Sequence, residues 1–176
     1  MKQIYFAGGC FWGLQKFFDQ FDGVLSTDAG YANGPESGSG HAPTYQEVCR
    51  SSGHAETVKV VYDEDRLPMS RLTKYFFMVI DPTSVNRQGN DVGIQYRTGI
   101  YYTEMEQLRE IRPIYREEQE KAGVPLAVEL EPLKNFYPAE EYHQKYLEKN
   151  HAGYCHIPPG FYRIAELEKA AGRKKE

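Results

Sequence analysis

Short segments with strand character alternate along this chain with segments of helical periodicity, and this alternation restricts the fold more than any other feature. Gln3–Ala7 and Leu25–Tyr31 have the pattern of short strands, and between them apolar residues recur at steps of three and four from Phe11 to Phe21. The 176 residues are enough to bury a sizeable core. Because strands and helices intermix, we predict an α+β protein with one mixed sheet.

The remaining segments continue this pattern through a single expected domain of residues 1–176. We predict strands at Glu56–Tyr62, Arg97–Tyr102 and Leu126–Leu130, and helices at Ser70–Val79, Thr103–Ala122, Ala139–Asn150 and Phe161–Ala171. A loop rich in Gly, Ser and Pro is expected at residues 33–43. Residues 82–97 form a long polar stretch without periodicity, and long irregular segments inside compact domains often carry functional residues. Residues 172–176 are expected to be a frayed tail or the start of a linker.

Composition and charge exclude several classes of protein. The net charge of −4 and the sequence pI of about 5.8 argue against a nucleic-acid or anionic-membrane partner, because such surfaces need a basic stripe. No segment approaches the roughly 20 apolar residues that cross a bilayer. The apolar run Ile4–Ala7 is too short for the core of a secretion signal. We therefore expect a soluble, cytoplasmic protein.

The cysteines and histidines form neither a disulfide framework nor a metal motif. Cys10, Cys49 and Cys155 are an odd, sparse set without a CxxC pair, and the five histidines show no HExxH spacing. We therefore expect no metal site, and each cysteine is either inert packing or a working thiol. Cys49 follows Val48 beside a predicted strand, so we expect it to be buried packing.

Cys10 lies where a predicted strand ends and a predicted helix begins, in the segment AGGCFWG. The two preceding glycines allow a sharp turn. A helix start favours an anion, and thiolates there have a lowered pKa and raised reactivity. These features favour a reactive thiol over a buried inert cysteine. Phe11 begins the apolar helix face, whereas Trp12 lies off that face and would suit the apolar wall of a small-molecule pocket.

Several segments, in order along the chain, resemble the motifs of a known family, the A-type methionine sulfoxide reductases. GCFWG at residues 9–13 is similar to the family signature, and Gly30-Tyr31 with Gly34 is similar to its GYxGG motif. The further matching segments are PTYQEVC (43–49), GHAE (53–56), DPTSVNRQGNDVGIQYR (81–97) and FYPAEEYHQKYL (136–147). Together they span nearly the whole chain.

This resemblance implies an activity, a reductant and a fold. Family members reduce methionine-S-sulfoxide in proteins, in peptides and in free form, which repairs oxidative damage. The resemblance further implies that a cysteine sulfenic acid forms first and an intramolecular disulfide second. Thioredoxin, or dithiothreitol in vitro, would then reduce the disulfide. No bound metal or organic cofactor is expected. The implied fold is a two-layer α/β sandwich of ferredoxin-like type, with a mixed, mostly antiparallel sheet, flanking helices and a long irregular C-terminal region. We expect a monomer whose partners are oxidised proteins and thioredoxin.

The resemblance also assigns a role to each matching residue. It implies that Cys10 is the nucleophile and that Glu56 is the acid that protonates the sulfoxide oxygen. Tyr45 and Tyr96 would donate hydrogen bonds to that oxygen, and Asp91 would order the pocket and its water. Phe11 and Trp12 would form the slot for the S-methyl group. A sulfoxide oxygen leaves poorly until it is protonated, so the acid needs a pKa raised by burial. Taken alone, Glu56 would more often be a solvated charge at a strand end.

Cys155 is the candidate resolving thiol. It lies in the glycine-flanked segment NHAGYCHIPPG, and in the family a cysteine in a similar context attacks the sulfenic acid to form a disulfide. We expect this loop to be flexible, because Cys155 must approach Cys10 across the fold. No cysteine follows it, so one intramolecular disulfide is expected to serve for recycling. The alternative is an incidental surface thiol.

Three other functions remain compatible with the residues alone. Cys10 with His54 or His143 as base would suit an acyl transferase or thiol hydrolase. A Cys10–Cys155 disulfide without enzymatic activity would suit a redox sensor. The aromatic residues near Cys10 would suit a peptide-binding module in which the thiol is dispensable.

Overall fold

A six-stranded mixed β-sheet organises the computed structural model, which describes residues 1–36 and 40–172. The strands are β1 (Lys2–Gly8), β2 (Val24–Ala32), β3 (Ala55–Tyr62), β4 (Arg87–Gln88), β5 (Asp91–Val92), β6 (Thr98–Tyr102), β7 (Glu129–Pro132) and β8 (Phe136–Pro138). The helices are α1 (Phe11–Phe18), α2 (Tyr45–Cys49), α3 (Met69–Met78), α4 (Met105–Ala122), α5 (Tyr146–Lys149) and α6 (Arg163–Gly172), with short 3₁₀ segments at Ile94–Tyr96, Glu141–His143 and Pro159–Tyr162.

The main sheet has the strand order β7-β6-β1-β3-β2-β8. Neighbouring strands are antiparallel except for the parallel pair β6 and β7, and β4 with β5 forms a separate two-stranded ribbon. The prediction of one mixed, mostly antiparallel sheet with flanking helices is therefore confirmed. The predicted tail at 172–176 begins with Gly172, which is the last residue of α6, and residues 173–176 lie outside the described residues.

The register of the central strands brings Glu56 to the start of α1. Ala7 of β1 lies opposite Thr57 of β3, and Tyr31 of β2 lies opposite Glu56. Because β1 and β3 are antiparallel, the end of β1 and the beginning of β3 meet at the same edge of the sheet. Glu56 therefore lies beside the chain that leads from β1 through Cys10 into α1.

Strand β1 is buried on both faces of the sheet. On one face the Phe6 ring stacks on Phe18 of α1 and Phe76 of α3, with ring centroids 4.9 and 4.8 Å apart. On the other face Tyr5 packs edge-on against Phe136, at 5.0 Å between centroids. Successive side chains of a strand point to opposite faces, so the apolar run of β1 fits this double burial. The strand that leads to Cys10 is thus fixed from both sides.

The predicted helix over Ala139–Asn150 is wrong. The structure has a 3₁₀ turn at Glu141–His143 and the short α5, and between them Lys145 adopts a left-handed conformation with φ of 53°. The Gln144 side chain accepts a hydrogen bond from the Ala29 N–H at 2.9 Å and donates one to the Ala29 carbonyl at 2.8 Å. This side chain satisfies backbone groups of β2, and that interaction outweighs the helical propensity of the segment.

Short elements account for the other differences from the predictions. Helix α2 was not predicted, although its capping box, Thr44 with Glu47, is visible in the sequence. Strand β8 was not predicted because it is three residues long and ends in Pro138. The strand predicted at Leu126–Leu130 is shifted to Glu129–Pro132. In the described ranges, no helix is both long enough and apolar enough to span a bilayer.

A matched pair of leucines tests the position of the core. Leu72 of α3 is fully buried, whereas Leu167 of α6 is 70% exposed. Leu72→Ala is expected to lower the free energy of unfolding by about 2–5 kcal/mol, because it removes buried apolar surface and leaves a cavity. Leu167→Ala is expected to change it by no more than about 0.5 kcal/mol. Urea denaturation of both variants measures the difference, and equal losses would contradict this assignment of the core.

Candidate active site

The turn between β1 and α1 places the Cys10 thiol in a buried position. Gly9 has a φ of 79°, and a Cβ on it would lie 2.7 Å from Cβ of Gln88, so both backbone conformation and space require glycine. Cys10 then occupies the N-cap position of α1 without a side-chain capping bond, and it is 7% exposed. The predicted strand-to-helix position of the thiol is correct.

Glu56 lies against the start of the same helix. Its Oε2 atom accepts a hydrogen bond from the Phe11 backbone N–H at 3.1 Å, and the residue is 2% exposed. Burial raises the pKa of Glu56 to about 8, although the Phe11 hydrogen bond acts in the opposite direction, and the Asp91 carboxylate adds to the rise. The side chain is therefore protonated over much of the neutral range, and it is not a solvated charge at a strand end.

Burial also raises the pKa of the Cys10 thiol, and the Glu56 carboxylate is the second cause. A backbone hydrogen bond from Trp12 favours the thiolate but is the weaker effect. The expectation of a lowered pKa is wrong, because desolvation outweighs the effect of the helix start. The resting site thus holds a neutral thiol beside a carboxyl group whose ionisation further disfavours the thiolate.

Tyr45 and Tyr96 converge on these two groups. Tyr45 begins α2, Tyr96 ends the first 3₁₀ segment, and both are half-buried. Burial raises the pKa of each phenol. A side-chain hydrogen bond with Cys49 is the next cause for Tyr45, and negative charge on Glu56 or Cys10 raises the pKa of both phenols further. These charges can shift the pKa of a phenol only if they lie close to it. The structure therefore brings two neutral phenol groups, which can donate hydrogen bonds, to the space around Cys10 and Glu56.

Asp91 contributes a partly unsatisfied carboxyl group to the same space. It begins β5, and its Oδ2 atom is buried without a hydrogen bond to any residue that the structure describes. Burial raises the pKa of Asp91, whereas the charge of His156 and a hydrogen bond with the Tyr154 hydroxyl lower it. An oxygen atom of this kind is suited to a bound water or a polar ligand.

Aromatic side chains form one wall beside Cys10. The Trp12 ring stacks on Tyr146 at 3.7 Å between centroids, and its Nε1 atom donates a hydrogen bond to Nδ1 of His143 at 3.0 Å. Phe11 is buried, with its ring 5.2 Å from the His143 ring and 5.8 Å from the Tyr31 ring. These contacts fix both predicted slot residues. They also occupy the acceptor nitrogen of His143, which argues against this residue as a base for Cys10.

Cys155 lies against the first turns of α1. A Cβ on Gly13 would lie only 2.8 Å from the Cys155 Sγ atom, which shows how closely the loop approaches the helix. The Sγ atom is 2.9 Å from the Tyr162 hydroxyl, and Cys10 and Cys155 are both free thiols. The loop is therefore already packed one turn from Cys10, whereas the sequence suggested an approach across the whole fold.

The expectation for Cys49 is wrong. This cysteine is the last residue of α2 and is exposed, whereas its neighbour Val48 is fully buried. The five-residue helix was not recognised from the sequence, so the side of the chain on which Cys49 lies was not predicted.

Sequence reasoning also missed contributors to the site. Tyr146 supports Trp12, Tyr154 contacts Asp91, and His156 lies between the two glycines that flank Cys10. The first is part of a recognised motif and the other two are neighbours of Cys155, but each role depends on contacts between distant segments. Within residues 1–36 and 40–172, no group of three or more metal-ligating side chains is placed to hold a metal ion.

The comparisons with known proteins agree with one another. The chain matches the family model for peptide methionine sulfoxide reductase over residues 2–175. It is 55% identical over 157 residues to a protein of Lachnoclostridium phytofermentans named peptide methionine sulfoxide reductase MsrA, which covers 89% of this chain and 92% of the relative. The structure resembles Mxr1 from Saccharomyces cerevisiae in reduced form, with a TM-score of 0.83, 40% identity and 88% coverage of each chain. It also resembles Mxr1 in complex with Trx2, with a TM-score of 0.58, 31% identity, and coverage of 82% of this chain and 84% of that chain.

The raised pKa of Glu56 predicts a specific dependence of stability on pH. The pKa of the group is about 8 in the folded protein and near its ordinary value of 4.5 in the unfolded chain. Between these values unfolding releases a proton, so Glu56 lowers the stability of the folded protein increasingly as pH rises. Glutamine cannot ionise. The stability of Glu56→Gln relative to the unsubstituted protein is therefore expected to increase between about pH 5 and pH 8, by no more than about 1.36 kcal/mol for each pH unit.

Urea denaturation at several pH values measures this difference, with Glu120→Gln as the control because Glu120 is an exposed residue of α4. The control is expected to keep a constant stability difference from the unsubstituted protein. A constant difference for Glu56→Gln as well would contradict the raised pKa.

Proposed function

The chain belongs to the peptide methionine sulfoxide reductase family and is an enzyme of that class, and we propose that its substrate is methionine-S-sulfoxide in proteins, in peptides and in free form. The observation that carries the finer assignment is the buried Glu56 carboxyl group, held by the Phe11 N–H beside the Cys10 thiol. A protonated acid next to a sulfur nucleophile suits a reaction in which a sulfoxide loses its oxygen.

Glu56 is the acid of this reaction. A sulfoxide oxygen is a poor leaving group, and a proton or a hydrogen bond that strengthens in the transition state lowers the barrier. With a pKa of about 8, Glu56 retains its proton at neutral pH. Tyr45 and Tyr96 donate further hydrogen bonds to the oxygen, and Asp91 holds the water or polar group that completes the pocket. The raised pKa of each phenol supports a donor role.

Cys10 is the nucleophile. Its sulfur attacks the sulfoxide sulfur, the oxygen passes to Cys10 as a sulfenic acid, and methionine leaves. The thiol proton and the oxygen both end on the sulfenic acid, so Glu56 returns to its starting state. Phe11 and Trp12 receive the S-methyl group against their rings. The stacking of Trp12 on Tyr146 supports this assignment, because a fixed ring makes a defined slot.

Cys155 resolves the oxidised enzyme. Its thiol attacks the Cys10 sulfenic acid, which forms a disulfide and releases water. The close approach of Cys155 to Gly13 supports this step. Thioredoxin, or dithiothreitol in vitro, then reduces the disulfide, and the known complex of yeast Mxr1 with Trx2 supports thioredoxin as the reductant. The reaction needs no bound metal or organic cofactor.

The same proposal extends to the organisation of the molecule. We propose one catalytic domain over residues 1–176, a monomer in the cytoplasm, and a fold of the ferredoxin-like type. The last of these is supported by the order β1-α1-β2-β3-α3-β6, in which the four strands lie side by side as β6-β1-β3-β2.

Three cysteine substitutions test this proposal. With a methionine-S-sulfoxide peptide, Cys10→Ser is expected to form no methionine, because the nucleophile is absent. Cys155→Ser is expected to form one methionine per enzyme molecule but to lose turnover with thioredoxin. Cys49→Ser, whose hydroxyl can keep the hydrogen bond to Tyr45, is the control and is expected to retain turnover. Counting methionine by chromatography measures all three.

The outcomes separate the competing functions. Turnover that persists in Cys10→Ser would contradict the proposal, and so would unchanged thioredoxin-driven rates in Cys155→Ser. A redox sensor would form the disulfide without forming methionine. A thiol hydrolase would cleave ester substrates and depend on His54 or His143.

A further inference from the structure

His156 is a half-buried histidine whose two ring nitrogens are both buried, and the proposed reaction, as described so far, has no use for it. It follows Cys155 directly, and neither ring nitrogen makes a well-formed hydrogen bond in the described part of the chain, although the Gly8 carbonyl lies near the ring. Buried polar atoms are rarely left without a well-formed hydrogen bond, so the position of this ring calls for an explanation. The ring is neutral at rest, because burial lowers its pKa more than the Asp91 carboxylate and the nearby Gly8 carbonyl raise it.

The position of the ring connects it to both redox cysteines. A Cβ on Gly9 would lie 3.1 Å from the Nε2 atom, and a Cβ on Gly13 would lie 3.6 Å from Nδ1 and 2.8 Å from the Cys155 Sγ atom. Gly9 directly precedes Cys10, the N-cap residue, and Gly13 lies in the first turn of α1. The ring thus spans this turn, with Nδ1 on the same side as the Cys155 thiol.

The resolving step needs a base at this place. A thiolate, not a thiol, attacks a sulfenic sulfur, so Cys155 must lose its proton. The Tyr162 hydroxyl lies 2.9 Å from Sγ, but the raised pKa of this phenol keeps it protonated, so it can stabilise a thiolate but cannot accept the proton. A neutral imidazole has one unprotonated nitrogen that can accept it.

We propose that His156 is the general base of the resolving step, an inference that rests on the proposed function. As the S–S bond forms, the Cys155 proton passes to His156 and the S–O bond of the Cys10 sulfenic acid breaks. The departing hydroxide takes a proton from the imidazolium and leaves as water. The Cys155 sulfur is oxidised and the Cys10 sulfur is reduced by one electron each, so no further reactant is needed.

Single-turnover experiments on the full chain separate this step from the preceding one. After mixing with a methionine-S-sulfoxide peptide, quenched samples are assayed for methionine and for remaining free thiols. In His156→Gln, methionine is expected to form at the normal rate, whereas disulfide formation is expected to slow by about 100-fold, within the usual range for general base catalysis. Sulfenic acid is then expected to accumulate and to be trapped by dimedone. His156→Ala is expected to behave in the same way.

The pH profile distinguishes a base from a residue that only positions the loop. The titratable groups around the ring are Asp91 of β5 and, from its own loop, Cys155 and Tyr154, with Tyr162 against Cys155. All of them are unchanged in the variant. At alkaline pH, hydroxide from solution can remove a thiol proton without a general base, so the deficit of His156→Gln in disulfide formation is expected to shrink as pH rises. A deficit that stays constant with pH would overturn the proposal.

The remaining outcomes are equally decisive. His151→Ala replaces an exposed histidine of the same loop and is expected to change neither step. Loss of methionine formation in both His156 variants would show a structural role and overturn the inference, as would normal disulfide formation in either variant. Absence of methionine formation in the unsubstituted protein would instead defeat the proposed function itself.

Discussion

The site depends on one hydrogen bond between two distant segments, from the Phe11 N–H at the start of α1 to the Glu56 carboxyl group at the start of β3. Three features of the fold make this bond possible: the antiparallel register of β1 and β3, the glycine turn after β1, and the burial of β1 on both faces. A helix start has unpaired N–H groups that favour an acceptor. Here that acceptor is a carboxyl group from another strand, so the fold itself positions the proposed acid.

Two opposing effects act on the Cys10 thiol, and burial is the larger. The helix start and the Trp12 N–H favour the thiolate, whereas removal from water and the Glu56 carboxylate disfavour it. When Glu56 carries its proton, the repulsion between the two groups is absent. Protonated Glu56 is therefore both the form that the proposed acid needs and the form that disfavours the Cys10 thiolate least. The ionisation of each group thus affects that of the other. While Glu56 is protonated, burial is therefore the main effect that keeps the thiol neutral.

The sequence allowed prediction of the central part of the fold and of the residues around Cys10. The strand-helix-strand pattern from Gln3 to Tyr31 was clear because its periodicities are strong. The FYPAEEYHQKYL segment identified the family, yet it did not reveal the backbone, because the contacts of Gln144 with Ala29 override local propensity. The orientation of Cys49 was missed for a similar reason, since a five-residue helix gives little periodic signal.

The pKa shifts of the site residues were harder to predict from the sequence than the identity of those residues. From the sequence, Cys10 had the features of an activated thiol and Glu56 those of a surface charge. Their actual pKa directions depend on how much water the surrounding segments exclude, and those segments come from the whole length of the chain. The place of His156 next to Cys10 likewise follows from the packing of the C-terminal loop on Gly13.

The most direct test of this account is an NMR titration of the Glu56 side-chain carboxyl group in the reduced, unliganded protein, assigned by comparison with Glu56→Gln. The account predicts that this carboxyl group titrates near 8, far above its ordinary value of 4.5, because it is buried beside Asp91. Titration near 4.5 would mean that Glu56 is ionised at neutral pH. It could not then supply the proton that the proposed reduction requires.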